Sequence, residues 1–97
     1  MNIGNAIKEI RKVRGVTRKN LSEKAGLSVT ALYNIENELS WPSQETINKL
    51  CEALCCPVSY LLLYSVEEAD IPMEKRDAFR VLIPLLKQFL LGKEDEK

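Results

Sequence analysis

Histidine is absent from this 97-residue chain, tryptophan occurs once and phenylalanine twice, and glycine and proline number four each. Without histidine the chain lacks both the commonest neutral-pH acid–base group and a frequent metal ligand. The three cysteines, Cys51, Cys55 and Cys56, are odd in number and clustered. That pattern suits neither a disulfide framework nor a paired zinc site. Cys51 and Cys55 lie one helical turn apart, and small thiols on a helix are mostly core residues. There is no glycine-rich phosphate loop and no nucleophile beside an evident base, so no catalytic residue, metal or cofactor is expected. No stretch approaches the roughly 18 consecutive apolar residues of a membrane span. No basic segment followed by an apolar one opens the chain, so the expected setting is cytoplasmic, with reduced thiols.

With 45% hydrophobic residues, the chain can bury one modest core with a short extension. Its zero net charge conceals an asymmetry. Residues 1–37 carry seven basic side chains against three acidic ones, a balance of +4, and residues 38–97 carry seven against eleven, a balance of −4. A basic front on a neutral protein suggests a surface facing a polyanion, although a solvated helical surface gives the same count.

The apolar periodicity is helical throughout. Ile3, Ile7 and Ile10, with Ala6 and Val13, form one stripe, and Lys8, Glu9, Arg11 and Lys12 are expected on the polar face. Gly15 follows the last turn. Thr17 is a good N-cap for a second helix to about Ala25, with Leu21 inward and Gly26 as its stop. Ser28 can cap a third helix with Leu32 and Ile35 inward, which leaves Val29, Thr30, Tyr33, Asn34 and Asn37 outward. After Ser40, Trp41 and Pro42, Ser43 can cap a fourth helix that buries Ile47, Leu50, Cys51 and Leu54. A fifth contains Val58, Leu61 and Leu62.

The fold expected for residues 1–64 is therefore an all-α, five-helix domain. Residues 65–97 supply an acidic connector, Ser65 to Asp70, and a further helix from Met73 to about Leu91. Its residues Phe79, Leu82, Ile83, Leu86, Phe89 and Leu90 make an apolar stripe, widened by Val81, Leu85 and Leu91. Such a stripe exceeds what one small domain covers, so these residues are expected to form a homodimer interface. The competing reading packs the helix on its own domain. Pro84 removes one backbone donor, and a bend near Arg80 is expected. The tail Gly92 to Lys97 is expected to fray.

A helix, a tight glycine turn and a second helix crossing the first let the outer helix enter the major groove of DNA. Leu21, Leu27, Leu32 and Ile35 can lock such a pair together, and Gly26 permits the turn. At these residues the chain resembles the Cro/Xre-type helix-turn-helix family of phage and bacterial repressors, over about Ile3 to Leu63. The segments that carry the resemblance are IGNAIKEIRKVRGVT, LSEKAGLSVTALYNIENE and PSQETINKLCEALCCPVSYLL. It implies that Val29, Thr30, Tyr33 and Asn34 read base edges, and that Arg18, Lys19 and Asn37 hold the sugar-phosphate backbone of double-stranded DNA. Glu36 resembles the acidic residue that often ends the recognition helix.

Four positions depart from the family pattern. Ser22 stands for alanine and remains small. Glu38 stands where glycine is frequent, so strain is expected in that turn. Leu39 and Trp41 occupy a commonly basic loop, where packing on the core is favoured for Trp41. The resulting expectation is a sequence-specific transcriptional regulator, a repressor acting as a homodimer on a palindromic operator. The alternative is a protein-interaction module on the same fold, an adaptor or antirepressor. A regulatory protein partner is compatible with either.

Overall fold

The computed structural model describes residues 1–91. Among them are six α-helices: α1 (Ile3–Val13), α2 (Arg18–Ala25), α3 (Val29–Glu36), α4 (Gln44–Ala53), α5 (Val58–Ser65) and α6 (Arg76–Leu91). Two single 3-10 turns, Glu68–Asp70 and Met73–Lys75, lie between α5 and α6, and no strand is present among the described residues. The all-helical expectation is met. The fraying expected of Gly92 to Lys97 lies outside the described residues.

Local chemistry accounts for the helix starts. The side chains of Asn2, Thr17, Ser28 and Ser43 each accept the amide N–H three residues on, at 2.8, 3.0, 3.0 and 3.1 Å. Each satisfies one of the amides that a helix start leaves free. Gly15 and Gly26 adopt φ of 71° and 72° at the ends of α1 and α2, a region that a β-carbon disfavours.

The core takes Ile3, Ala6, Ile7 and Ile10 from α1, Leu21 and Ala25 from α2, Leu32 and Ile35 from α3, Leu50, Cys51 and Leu54 from α4, and Leu61 and Tyr64 from α5. The core reading of the cysteines holds for Cys51 and Cys56. Cys55 is exposed, with φ of 58° in the turn that ends α4. Hydrogen bonding by the Cys51 thiol draws Cys56 down to about 7 against the opposing effect of burial, with help from the Arg14 charge. The same bond, reinforced by burial, pushes Cys51 up.

Sequence periodicity placed Leu62 inward, but it is exposed, and Tyr64 and Ser65 take the buried positions in α5. The Ser65 hydroxyl donates to the Leu62 carbonyl at 2.6 Å, which satisfies the buried hydroxyl.

The C-terminal helix folds back on the bundle. Tyr64 Oη donates to the Lys87 carbonyl at 3.1 Å, Lys87 Nζ lies 3.4 Å from Glu9 Oε1 and 5.0 Å from the Tyr64 ring centroid, and Leu90 packs against the core. Arg80 pairs with Glu68 at 2.6 Å and ties α6 to the acidic connector. This pairing holds the Glu68 carboxyl below its usual range. The helix continues through Pro84 as a single element. Its opposite side leaves Val81, Leu82, Leu85 and Phe89 exposed, with Phe89 79% accessible. Both readings of the apolar stripe therefore have a surface in the structure: one edge packs on its own domain and another faces solvent.

Gly4 of α1 is buried against the end of α3. A β-carbon there would overlap the Ile35 carbonyl oxygen and press on the Glu36 backbone. Backbone cannot yield as a flexible side chain does. Gly4→Ala is expected to destabilise the protein by about 1–3 kcal/mol, read as a lower urea midpoint at unchanged slope.

Candidate nucleic-acid interface

The unit formed by α2, its turn and α3 is closed by backbone hydrogen bonds. Leu27 N–H donates to the Ser22 carbonyl at 2.8 Å and Gly26 N–H to the Glu23 carbonyl at 3.3 Å. Ser22 is buried and its hydroxyl donates to the Lys19 carbonyl at 2.8 Å, so a small polar residue fits where alanine is common. Leu21 and Ala25 face Leu32 and Ile35 in the core. The remaining side of α3 is left free.

On that side Val29, Thr30 and Tyr33 are exposed and Asn34 is half-buried. Asn34 also contributes its carbonyl to the following turn, where Leu39 N–H binds it at 2.8 Å. Lys19 and Asn37 are exposed, and the Asn37 side-chain amide donates to the Tyr33 carbonyl at 2.8 Å. Thr17 occupies the Asn20 amide at the start of α2. The amides of Arg18 and Lys19 have no intrahelical partner at that position and can serve an anion. The structure thus brings the seven residues expected to touch DNA onto α2 and α3, including the cap that follows α3.

Arg18 is less free than the sequence suggested. Its Nε donates to Glu36 Oε1 at 3.1 Å, and its guanidinium carbon lies 5.2 Å from the Tyr33 ring centroid. Arg11 meets the same carboxylate from the other side, through Nε at 2.8 Å and Nη2 at 3.1 Å, and gives Nη1 to the Val16 carbonyl at 3.2 Å. The Glu36 side chain is 0% exposed. The expectation that Arg11 lies on the polar face of α1 is therefore corrected: Arg11 is buried. Periodicity records that a residue is polar, but not that a carboxylate 25 positions away will neutralise it. The sequence signal was Glu36 itself, a charge on an otherwise neutral short helix.

Burial of this pair hides one charge of each sign and so leaves the +4 balance of the front unchanged. Lys12, Arg14, Lys19 and Lys24 remain at the surface.

The loop after α3 departs in two ways. Glu38 adopts φ of 62°, the strained geometry expected where glycine is common, and it accepts from Asn2 Nδ2 at 2.7 Å. Trp41 is 67% exposed, which overturns the expected packing on the core, and Leu39 is 70% exposed. Pro42 takes the buried position beside it. A cavity of about 230 Å³ lies between this loop and the start of α1, lined by Ile3, Gly4, Ile35, Leu39 and Trp41 among others.

Comparison with known proteins agrees with the geometry. A helix-turn-helix family model, HTH_3, matches residues 7–61. The chain belongs to this Cro/C1-type family. Over 62 residues it is 40% identical to the immunity repressor protein of Bacillus phage phi105, a match that covers 64% of this chain and 43% of that protein. The chain thus matches less than half the length of that relative. Both findings support a DNA-binding transcription regulator. No single helix among the described residues is long and apolar enough to cross a membrane.

Removal of the Glu36 carboxylate leaves the buried Arg11 without a counter-charge, a change that typically costs about 3–5 kcal/mol. Glu36→Ala is expected to lose stability on that scale by chemical denaturation, and its far-ultraviolet spectrum at low temperature is expected to show whether the helices persist.

Proposed function

We propose that this protein is a transcriptional repressor that binds a palindromic operator in double-stranded DNA as a homodimer in the cytoplasm. The observation that carries the reading is the free face of α3, with Val29, Thr30, Tyr33 and Asn34, beside the anion-accepting start of α2 with Arg18 and Lys19. Asn34 has the donor and acceptor to pair with adenine, Thr30 can bond a base or phosphate, and the Val29 methyls suit a thymine methyl. Asn37 and Lys19 contribute backbone contacts, which set register without reading sequence. With no arginine, lysine or glutamine on the α3 face, DNA shape contributes to selectivity.

Self-association through α6 supplies the second half-site. The interface residues are Phe79, Leu82, Ile83, Leu86, Phe89 and Leu90. Leu82 and Phe89 lie on the exposed side, Phe79, Ile83 and Leu86 are half-buried, and Leu90 also packs on its own core. A two-fold dimer places two reading helices about one DNA turn, roughly 34 Å, apart. Phe89→Glu puts charge on the exposed edge without touching the core. It is expected to halve the sedimentation mass and weaken operator binding; an unchanged dimer removes α6 from the interface.

A second reading, an adaptor or antirepressor that binds protein, is favoured by one feature: Leu39 and Trp41 are exposed together beside the acidic Glu38. Phosphates disfavour that neighbourhood. The same patch is where a regulatory protein partner of a repressor would bind.

Selection of bound duplexes from a random pool, followed by titration at several salt concentrations, separates the two. A repressor enriches a palindrome and shows a steep salt slope. Asn34→Ala is then expected to lower specific binding by about 1–3 kcal/mol and non-specific binding little, and Lys19→Ala to lower both equally. No enriched sequence, with weak binding throughout, transfers the assignment to the protein-binding reading.

A further inference from the structure

Arg18 and Tyr33 come from different helices, yet they meet at the surface where α2 crosses α3. The Arg18 side chain is 31% exposed, and its Nε is held by Glu36 at 3.1 Å. Glu36 is itself fixed, because Arg11 holds it through two nitrogens and its side chain is fully buried. The guanidinium that results from this anchoring lies over the Tyr33 ring at 5.2 Å. Tyr33 is an exposed residue, 47% accessible, on the free face of α3. An exposed tyrosine ordinarily samples several rotamers, and a fixed cation over its ring favours one of them.

We propose that Arg18 is a positioning residue for base selection: held by Glu36, it sets the orientation in which Tyr33 meets the DNA. The inference rests on the DNA-reading assignment above and deepens it. In this arrangement Arg18 differs from a simple phosphate clamp. One of its donors is committed to the protein, and its outer nitrogens have no other protein hydrogen bond among the described residues. The group therefore contributes charge toward the backbone and, through the ring, sequence preference. Lysine cannot reproduce both contacts, because its single ammonium lacks the planar fork that pairs with a carboxylate along one edge and stacks by its face. Loss of Arg18 leaves Glu36 still neutralised by Arg11, so the fold tolerates the change.

The test compares the wild type with Arg18→Ala, Arg18→Lys and Tyr33→Ala in the same random-duplex selection. Arg18→Ala is expected to lose base preference at the operator positions where Tyr33→Ala loses it, by about two- to fivefold. The double variant is expected to lose no more there than either single one. Arg18→Lys is expected to restore the salt slope but not the preference. In the free protein, ring-current shifts of the Arg18 δ-protons are expected by NMR and are expected to disappear in Tyr33→Leu. An unchanged motif with uniformly weaker binding in Arg18→Ala, full restoration of the preference by lysine, or absence of the ring-current shifts would each overturn the proposal and leave the DNA-reading assignment standing. A wild type that enriches no sequence would overturn the assignment and the proposal together.

Discussion

The position of α3 depends on one buried carboxylate. Glu36 ends α3, Arg11 reaches it from α1 and Arg18 from α2, so three helices meet at a single charge. A buried ion pair contributes little net stability compared with apolar packing, because its desolvation offsets its attraction. What it adds is registry. Carboxylate and guanidinium meet well in few geometries, and a slip of α3 along its axis would break three hydrogen bonds at once. Gly4 acts on the same contact by steric exclusion, since its missing β-carbon lets α1 lie against the end of α3.

The apolar core around this contact follows the 3.6-residue period, and for that reason its members were legible in the sequence. Ile3, Ile7, Ile10, Leu21, Leu32, Ile35, Leu50 and Leu54 are all buried, and the caps Thr17, Ser28 and Ser43 start the helices they were expected to start. The misplaced residues fall into two kinds: the burial of Arg11 depends on a carboxylate 25 positions away, and at Leu62 and Trp41 a near neighbour takes the buried place. Arg11 is drawn inward by Glu36, Leu62 yields its buried place to Tyr64 and Ser65, and Trp41 yields to Pro42. Polarity along one helix does not encode these exchanges.

The candidate interface was legible in the same uneven way. The outward positions of α3 follow directly from its inward ones, because eight residues of helix have only two sides. Arg18 was recognisable as a basic residue at a helix start, but its commitments to Glu36 and Tyr33 were not. Those contacts join residues 18 and 15 positions apart across a turn, and they appear only when the crossing of α2 and α3 is known. The charge asymmetry pointed to the half of the chain that holds α2 and α3, although one of its members is internal.

The anchoring of α6 determines what kind of ruler a dimer of this protein would be. Lys87, Tyr64 and Glu9 join α6 to α5 and α1, and Arg80 joins it to Glu68 in the connector. A helix attached only by a flexible tether would let two domains choose their own separation and so accept half-sites at many spacings. With α6 seated on the bundle, the distance between the two α3 helices of the proposed dimer would be stored in side-chain packing and not in the length of residues 65–75. Tolerance toward operators of altered spacing would then measure how firmly one tyrosine holds the carbonyl of residue 87.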